Sequence, residues 1–208
     1  FAEDIGLLEA QLQSELGLGE ARQSATQIRI AVNADSLATW FVDALALGPD
    51  WLFDLVIDDQ DTSLDWLKRG EVSAAVTVSG VSATGCEAVD LGALRYRATA
   101  SPAFMARWFA DGVSAEAIAQ APCLTFNTKD ALQRNWLARH FEETLSPPLH
   151  YVPSSQAFVD AAVAGLGWGM NPEVLTNTLI AQGRLVELIP DAPFDTHLCW
   201  QVSRVMKT

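Results

Sequence analysis

Ile28-Arg29-Ile30-Ala31-Val32-Asn33-Ala34-Asp35-Ser36-Leu37-Ala38-Thr39-Trp40-Phe41-Val42-Asp43-Ala44-Leu45-Ala46-Leu47 reads in three parts. Ile28 to Val32 is short, β-branched and almost unbroken in its apolar character, which predicts a strand buried on both faces. Asn33 to Ser36 is polar and rich in helix N-cap residue types. From Leu37 onward, apolar residues at 37, 40, 41, 44 and 45 fall on one face of a helix. A strand that hands directly to a helix leaves unpaired N–H groups at a partly positive helix start, which accepts anions. In open α/β sheets such strand ends are where ligands bind. This unit therefore predicts one wall of a small-molecule site.

The same grammar recurs downstream. Trp51 to Ile57 and Val72 to Val78 read as strands, with a short helix through Leu64, Trp66 and Leu67 closed at Gly70. Strand, helix, strand, helix, strand implies a parallel sheet. Cys86 to Leu91 and Leu94 to Ala100 are expected as two further strands. Ser101-Pro102 opens a helix through Phe104, Met105, Trp108 and Phe109, and Ser114 opens another. Cys123 to Phe126 reads as a strand, capped into the next helix by Asn127 to Asp130. Leu149 to Val152 is a strand followed by a helix capped at Ser154-Ser155. Gly165 to Met170 turns into a short strand, Asn171-Pro172-Glu173 starts a helix, and Leu185 to Ile189 and His197 to Val202 close the series as strands. So many strands exceed one tidy layer. Two Rossmann-like α/β lobes facing one another account for them, with the caps directed into a shared cleft. The expected boundaries are 28–98 with 185–208 for the first lobe and 99–184 for the second.

The 208 residues are half hydrophobic, enough for a sizeable core, yet no apolar run is long enough for a transmembrane helix. A net charge of −13 with no cluster of Lys and Arg argues against direct nucleic-acid binding. Three scattered cysteines form neither a disulfide framework nor a zinc motif, which favours a reducing, cytoplasmic setting. The start, Phe1-Ala2-Glu3-Asp4, lacks an initiator Met and a signal-peptide pattern. A fragment is expected, with 1–27 holding a linker-helix remnant (Ile5, Leu8, Leu12 and Leu16 on one stripe) and a polar connector.

No catalytic constellation is visible. Gly165-Leu166-Gly167-Trp168-Gly169 follows a helix and precedes a strand, the reverse of a dinucleotide fingerprint, so close packing and a helix C-cap are expected there. Asp58-Asp59-Gln60-Asp61 lacks calcium-loop spacing, the three histidines form no HxxxH pair, and no GxSxG elbow occurs. An enzyme is not expected, nor a cofactor or metal. What remains is a set of convergent hydroxyls, amides and helix starts, with acids beside them. Such a set suits a zwitterion: donors for its carboxylate, an acid for its ammonium or guanidinium.

The run Ile30-Ala31-Val32-Asn33-Ala34-Asp35-Ser36-Leu37-Ala38-Thr39-Trp40-Phe41 resembles the start of the effector-binding domain in LysR-type transcriptional regulators, in the ArgP/LysG-like branch that controls export of basic amino acids. Leu67-Lys68-Arg69-Gly70-Glu71-Val72, Ala75-Val76-Thr77, Gly85-Cys86, Leu91-Gly92, Ala100-Ser101-Pro102, Pro153-Ser154-Ser155 with Phe158, Gly165 to Gly169 and Trp200-Gln201 extend the likeness across the chain from Ile28. The resemblance implies a periplasmic-binding-protein-like (type 2) fold and an inter-lobe cleft for lysine or arginine. It implies a homodimer or tetramer, paired through helix 36–47 and strand 51–57, and DNA contact only through an upstream helix-turn-helix domain. Carried over by position, the effector meets Asn33, Asp35 and Ser36 from one lobe and Ser101, Asn127, Asp130 and Ser155 from the other. Asp35 is expected to face the ligand's positive charge, and Ser36 with Ser101 its carboxylate. The alternative is a transporter-associated solute-binding protein for an amino acid.

Overall fold

The computed structural model describes residues 27–48, 51–57, 63–78 and 84–204. The expected linker helix and the acidic run at 58–61 lie outside them. Strand β1 (Gln27–Val32) leads into helix α1 (34–46), then β2 (Leu52–Ile57), α2 (Ser63–Lys68) and β3 (Ala74–Val78). The second half follows: β4 (Cys86–Ala100), α3 (Pro102–Trp108), α4 (Ala115–Gln120), β5 (Cys123–Thr125), α5 (Leu132–His140) and β6 (Leu149–Tyr151). It continues through α6 (Ser155–Val163), β7 (Gly169–Pro172), α7 (Glu173–Ala181), β8 (Val186–Glu187) and β9 (Phe194–Ser203).

β1 pairs in parallel with β2 on one side and β3 on the other, as the alternating pattern predicts. The sheet then changes character. Its order is β2-β1-β3-β9-β4-β7, with β8 also on β4, and β9 runs antiparallel to both β3 and β4. A separate parallel pair, β5-β6, lies in the second half. The two strands expected at 86–91 and 94–100 are one. Gly92, at φ 79°, absorbs a register shift between Asp90 and Gly92 as a bulge, and its N–H bonds the Asp90 carboxylate at 3.0 Å. A glycine that reads as a break in sequence here only kinks a continuous strand.

β4 is common to both halves. Its first part, through Tyr96, pairs with β9; from Tyr96 it pairs with β7, and Thr99–Ala100 pair with β8. Tyr96 is in both ladders, opposite Phe194 on one side and Pro172 on the other. Arg97 pins the second half by bonding Glu173 of α7 and Glu187 of β8.

The central apolar cluster follows this shared strand. It joins Ile30, Val32 and Phe41 from the first half to Phe104, Trp136 and Trp168 from the second. Smaller clusters cover the outer faces: Ala31, Leu67, Val72, Ala75 and Cys86 on one side, and Leu124, Phe158, Val159, Ala161, Ala162 and Leu185 on the other. Each fully buried aromatic of this kind contributes roughly 3–5 kcal/mol against truncation.

The glycine-rich turn is built for close packing. α6 ends in a Schellman motif: Gly165, at φ 79°, donates to Ala162 O and Leu166 donates to Ala161 O. A Cβ on Gly169 would lie 2.5 Å from the Phe158 ring, so β7 meets α6 only because that position is bare.

Candidate effector site

A cavity of about 600 Å³ lies where the ends of β1, β2 and β3 face the 126–131 loop, the start of α6, β7 and the beginning of β9. That is within the range of small-molecule sites, roughly 300–1,000 Å³. Asp35, Asp130 and Asp195 line it, against Lys129 and His197. Asp195 is held by Arg95 through two bonds of 2.8 Å, which keep its carboxyl below the ordinary range.

The first wall is the β1–α1 junction. Asn33 caps α1, its Oδ1 accepting from Ser36 N at 3.3 Å. Asn33 is 5 % exposed, and its Nδ2 has no partner among the described residues. Asp35, one residue into the helix, does not cap at all. It reaches across: Oδ1 accepts from Ser155 of α6 at 2.6 Å, and Oδ2 from the Tyr96 hydroxyl at 2.8 Å. Burial pushes its carboxyl above the ordinary range, the Ser155 and Tyr96 bonds oppose that, and the charge of Asp130 adds to it. Three elements, α1, α6 and β4, thus meet on one half-buried acid.

Within α1 the residues Leu37–Phe41 form a π-helical turn. The Thr39 hydroxyl donates to Asp35 O at 2.7 Å, competing for the carbonyl that the ordinary ladder would use. The wider turn sits directly after Asp35, a placement common at functional sites.

The second wall is the β5–α5 junction. Asn127 Oδ1 accepts from Lys129 N and Asp130 N at 2.8 and 3.0 Å. The Asp130 carboxylate accepts from Phe126 N at 2.9 Å, Leu132 N at 3.0 Å and the Thr125 hydroxyl at 3.2 Å. These residues were expected to cap α5, but the N-cap position is Ala131, with no side-chain cap bond. Asn127 and Asp130 instead fold the loop back on itself, because two acceptors three residues apart satisfy its N–H groups before the helix begins.

Five of the expected site residues, Asn33, Asp35, Asn127, Asp130 and Ser155, line the cavity. Ser36 and Ser101 are not on its wall. Ser36 is fully buried, its hydroxyl without a partner among the described residues, and Ser101 caps α3 by accepting from Phe104 N at 3.2 Å. The N-cap alone accounts for Ser101, since that bond holds its oxygen on the helix. Sequence reasoning missed three further participants. Tyr96 is fully buried with its hydroxyl on Asp35; a Tyr on the inward face of a strand needs a hydroxyl partner, and that was the available signal. Asn171, also fully buried, donates to Thr99 at 3.0 Å while its Oδ1 on the cavity wall has no partner among the described residues. Thr196 also lines the cavity, and its hydroxyl has no partner among the described residues. Nothing in their sequence context marked these two.

Among the described residues no group of three or more His, Cys, Asp or Glu is placed to hold a metal ion, and no helix is long and apolar enough to cross a membrane.

The LysR substrate binding domain model matches residues 21–207. The HTH-type transcriptional regulator ArgP of Pseudomonas fluorescens (strain Pf0-1) is 39% identical over 206 residues, covering 95% of this chain and 67% of its own. LysG of Mycobacterium tuberculosis (strain ATCC 25618 / H37Rv), another HTH-type regulator, is 41% identical over 201 residues, 97% of this chain and 66% of its own. The chain spans about two thirds of the length of these relatives. Among solved structures, ArgP from Mycobacterium tuberculosis superposes with a TM-score of 0.86 at 40% identity, over 97% of this chain and 68% of that one. Full-length LysG from Corynebacterium glutamicum with bound effector Arg superposes with a TM-score of 0.80 at 33% identity, over 98% and 69%. These relatives are transcriptional regulators, not enzymes. With this match, and with the periplasmic-binding-protein type 2 fold, the chain belongs to the LysR substrate-binding domain family.

Proposed function

We propose that this chain is the sensing part of a LysR-type regulator and that its cavity takes lysine or arginine. The observation that carries the reading is Asp35: a half-buried carboxylate on the wall of a cavity of small-molecule size, in a lining where acids outnumber bases. An ionised carboxylate accepts about four hydrogen bonds, and two sites on Asp35 remain for a ligand's N–H groups. A cationic side chain would gain charge-assisted bonds there that a neutral one cannot. The ligand's carboxylate would lie near Asn33 and Thr196, two polar residues of the lining. Asn127, Asp130 and Ser155 complete the proposed contact set; Ser36 and Ser101, off the cavity wall, are left out of it. The arginine-bound relative supports the ligand class.

The lobes are taken as 28–98 with 185–208, and 99–184. Effector binding would bias how they close, and the bias would pass to subunit packing and to a DNA-binding domain outside this chain. Control of an amino-acid exporter gene, in the cytoplasm, follows from the branch that the sequence resembles. Pairing of chains through α1 and β2 is supported by β2 being the sheet edge and by the exposure of Val42, Leu47, Leu52 and Ile57.

Titration of the chain with arginine, lysine and citrulline, by calorimetry, tests the ligand class. Citrulline keeps the shape of arginine and lacks its charge. Arginine or lysine should bind and citrulline should bind at least tenfold more weakly. Equal affinity for citrulline and arginine would remove the basic-amino-acid assignment.

A further inference from the structure

We infer that Tyr96 is a specificity-determining positioning residue: anchored in the strand that both halves share, its hydroxyl fixes the Asp35 carboxylate in the cavity wall and so sets how strongly the site prefers a cationic side chain. The inference rests on the reading of the cavity as a basic-amino-acid site.

The geometry is specific to this residue. Tyr96 lies at the one register position where β4 is bonded to β9 and β7 together, so its backbone is held from both sides. The ring is fully buried, and its hydroxyl donates to Asp35 Oδ2 at 2.8 Å. The other oxygen, Oδ1, is held by Ser155, which sits in the first turn of α6. Ser155 travels with the second half and Tyr96 with the shared strand. If the halves move apart, the Ser155 bond is the one that stretches, while Tyr96 keeps Asp35 on the wall. A carboxylate held in one orientation before the ligand arrives needs no reordering to meet an ammonium or guanidinium.

The electrostatics point the same way. Asp35 shares its surroundings with Asp130 and Lys129 from the 126–131 loop and with Asp195 and His197 from β9. Burial and the neighbouring Asp130 charge favour the protonated acid, and the Tyr96 and Ser155 bonds favour the ionised one. Without the Tyr96 hydroxyl, the carboxyl moves further up. As pH falls, less of it is then charged than in the unaltered chain, and a cationic ligand loses its partner first.

The test is Y96F, which keeps the ring and removes the donor, compared with the unaltered chain by calorimetry against arginine and citrulline from pH 5 to 8. Loss of one hydrogen bond to a charged group predicts roughly tenfold weaker arginine binding with little change for citrulline. The pH below which arginine affinity declines should move upward. A second measurement needs no variant. The chain has two tyrosines, and Tyr151 is exposed. With tyrosine labelled at the ring carbon bearing the hydroxyl, the Tyr96 resonance should shift on adding arginine and as Asp35 titrates, while that of Tyr151 stays still. A Y96F chain with unchanged arginine-to-citrulline preference and pH profile, even if less heat-stable, makes Tyr96 a packing residue and overturns the inference. So does a Tyr96 resonance that ignores both arginine and pH. If the unaltered chain does not distinguish arginine from citrulline, the ligand assignment itself fails and takes this inference with it.

Discussion

Two junctions face each other across the cavity, and their parts are almost the same. β1 passes to α1 through Asn33 and Asp35; β5 passes to α5 through Asn127 and Asp130. Their hydrogen bonds differ. Asp130 holds the loop and the first turn beside it, accepting from Phe126, Leu132 and Thr125. The Asp35 carboxylate bonds no group on its own turn and instead holds Ser155, 120 residues away, and Tyr96, 61 away. Residue type therefore does not tell an acid that holds its own loop from one that reaches across the cavity. The sequence distance to the donors does: local N–H donors mark loop construction, and remote hydroxyls mark a carboxylate presented to a shared space.

The contrast can be broken at either end. Asp35→Ala should produce the largest effect, weakening arginine binding by about a hundredfold or more, since removing one partner of a buried charged pair costs roughly 2–5 kcal/mol. Calorimetry reads this directly, and arginine affinity within threefold of normal would take Asp35 out of the site. Asp130→Ala should do the opposite. Three loop bonds vanish, so stability falls by about 2–3 kcal/mol, with a smaller change in affinity. A melt that is unchanged while binding is abolished would reverse the roles assigned to the two acids.

Asp35→Asn sharpens the comparison through pH. The native Asp35 carboxyl lies above its ordinary value of 3.8, so the folded chain holds that proton more tightly than the unfolded one. The stability contributed by this carboxyl is then full below 3.8 and is lost as pH rises through the raised native value. The variant should lack that decline and melt a few degrees higher at pH 7, while binding arginine poorly. A lower melting temperature would mean that the charged form is already favoured by its two hydroxyl donors. Ser101→Ala should give the smallest effect. Loss of one N-cap is worth about 1 kcal/mol, visible as a shift of roughly 2–4 °C, with arginine affinity unchanged.

Most of the fold is legible in the sequence because local rules decide it. The apolar run at Ile30–Val32, the Asn33 cap and the Ser101-Pro102 helix start are where the residues say they should be. The continuous β4 was not legible, because Gly92 serves a bulge as readily as a turn. The short β8 was overestimated as a strand over Leu185 to Ile189, since only Val186 and Glu187 enter the ladder with β4, and Leu188 adds a single bond to Ala98. At the site, the cap positions led to the correct strand ends but could not say which caps turn outward. Ser36 and Ser155 look alike on paper. One is fully buried in α1, its hydroxyl without a partner among the described residues; the other bonds Asp35 across the cavity. Tertiary placement made that distinction.

The sheet order has a consequence for how the chain is made. β9 lies between β3 and β4, yet Thr77 and Cys199 are 122 residues apart, and Arg95 and Asp195 are 100 apart. During translation every other described strand has left the ribosome before the one that joins them. Until then β3 and β4 expose bare backbone edges, open to self-pairing between nascent chains. Topologies that wait on such distant partners fold slowly, so refolding at high concentration should yield aggregates that dilution or a strand-shielding chaperone suppresses.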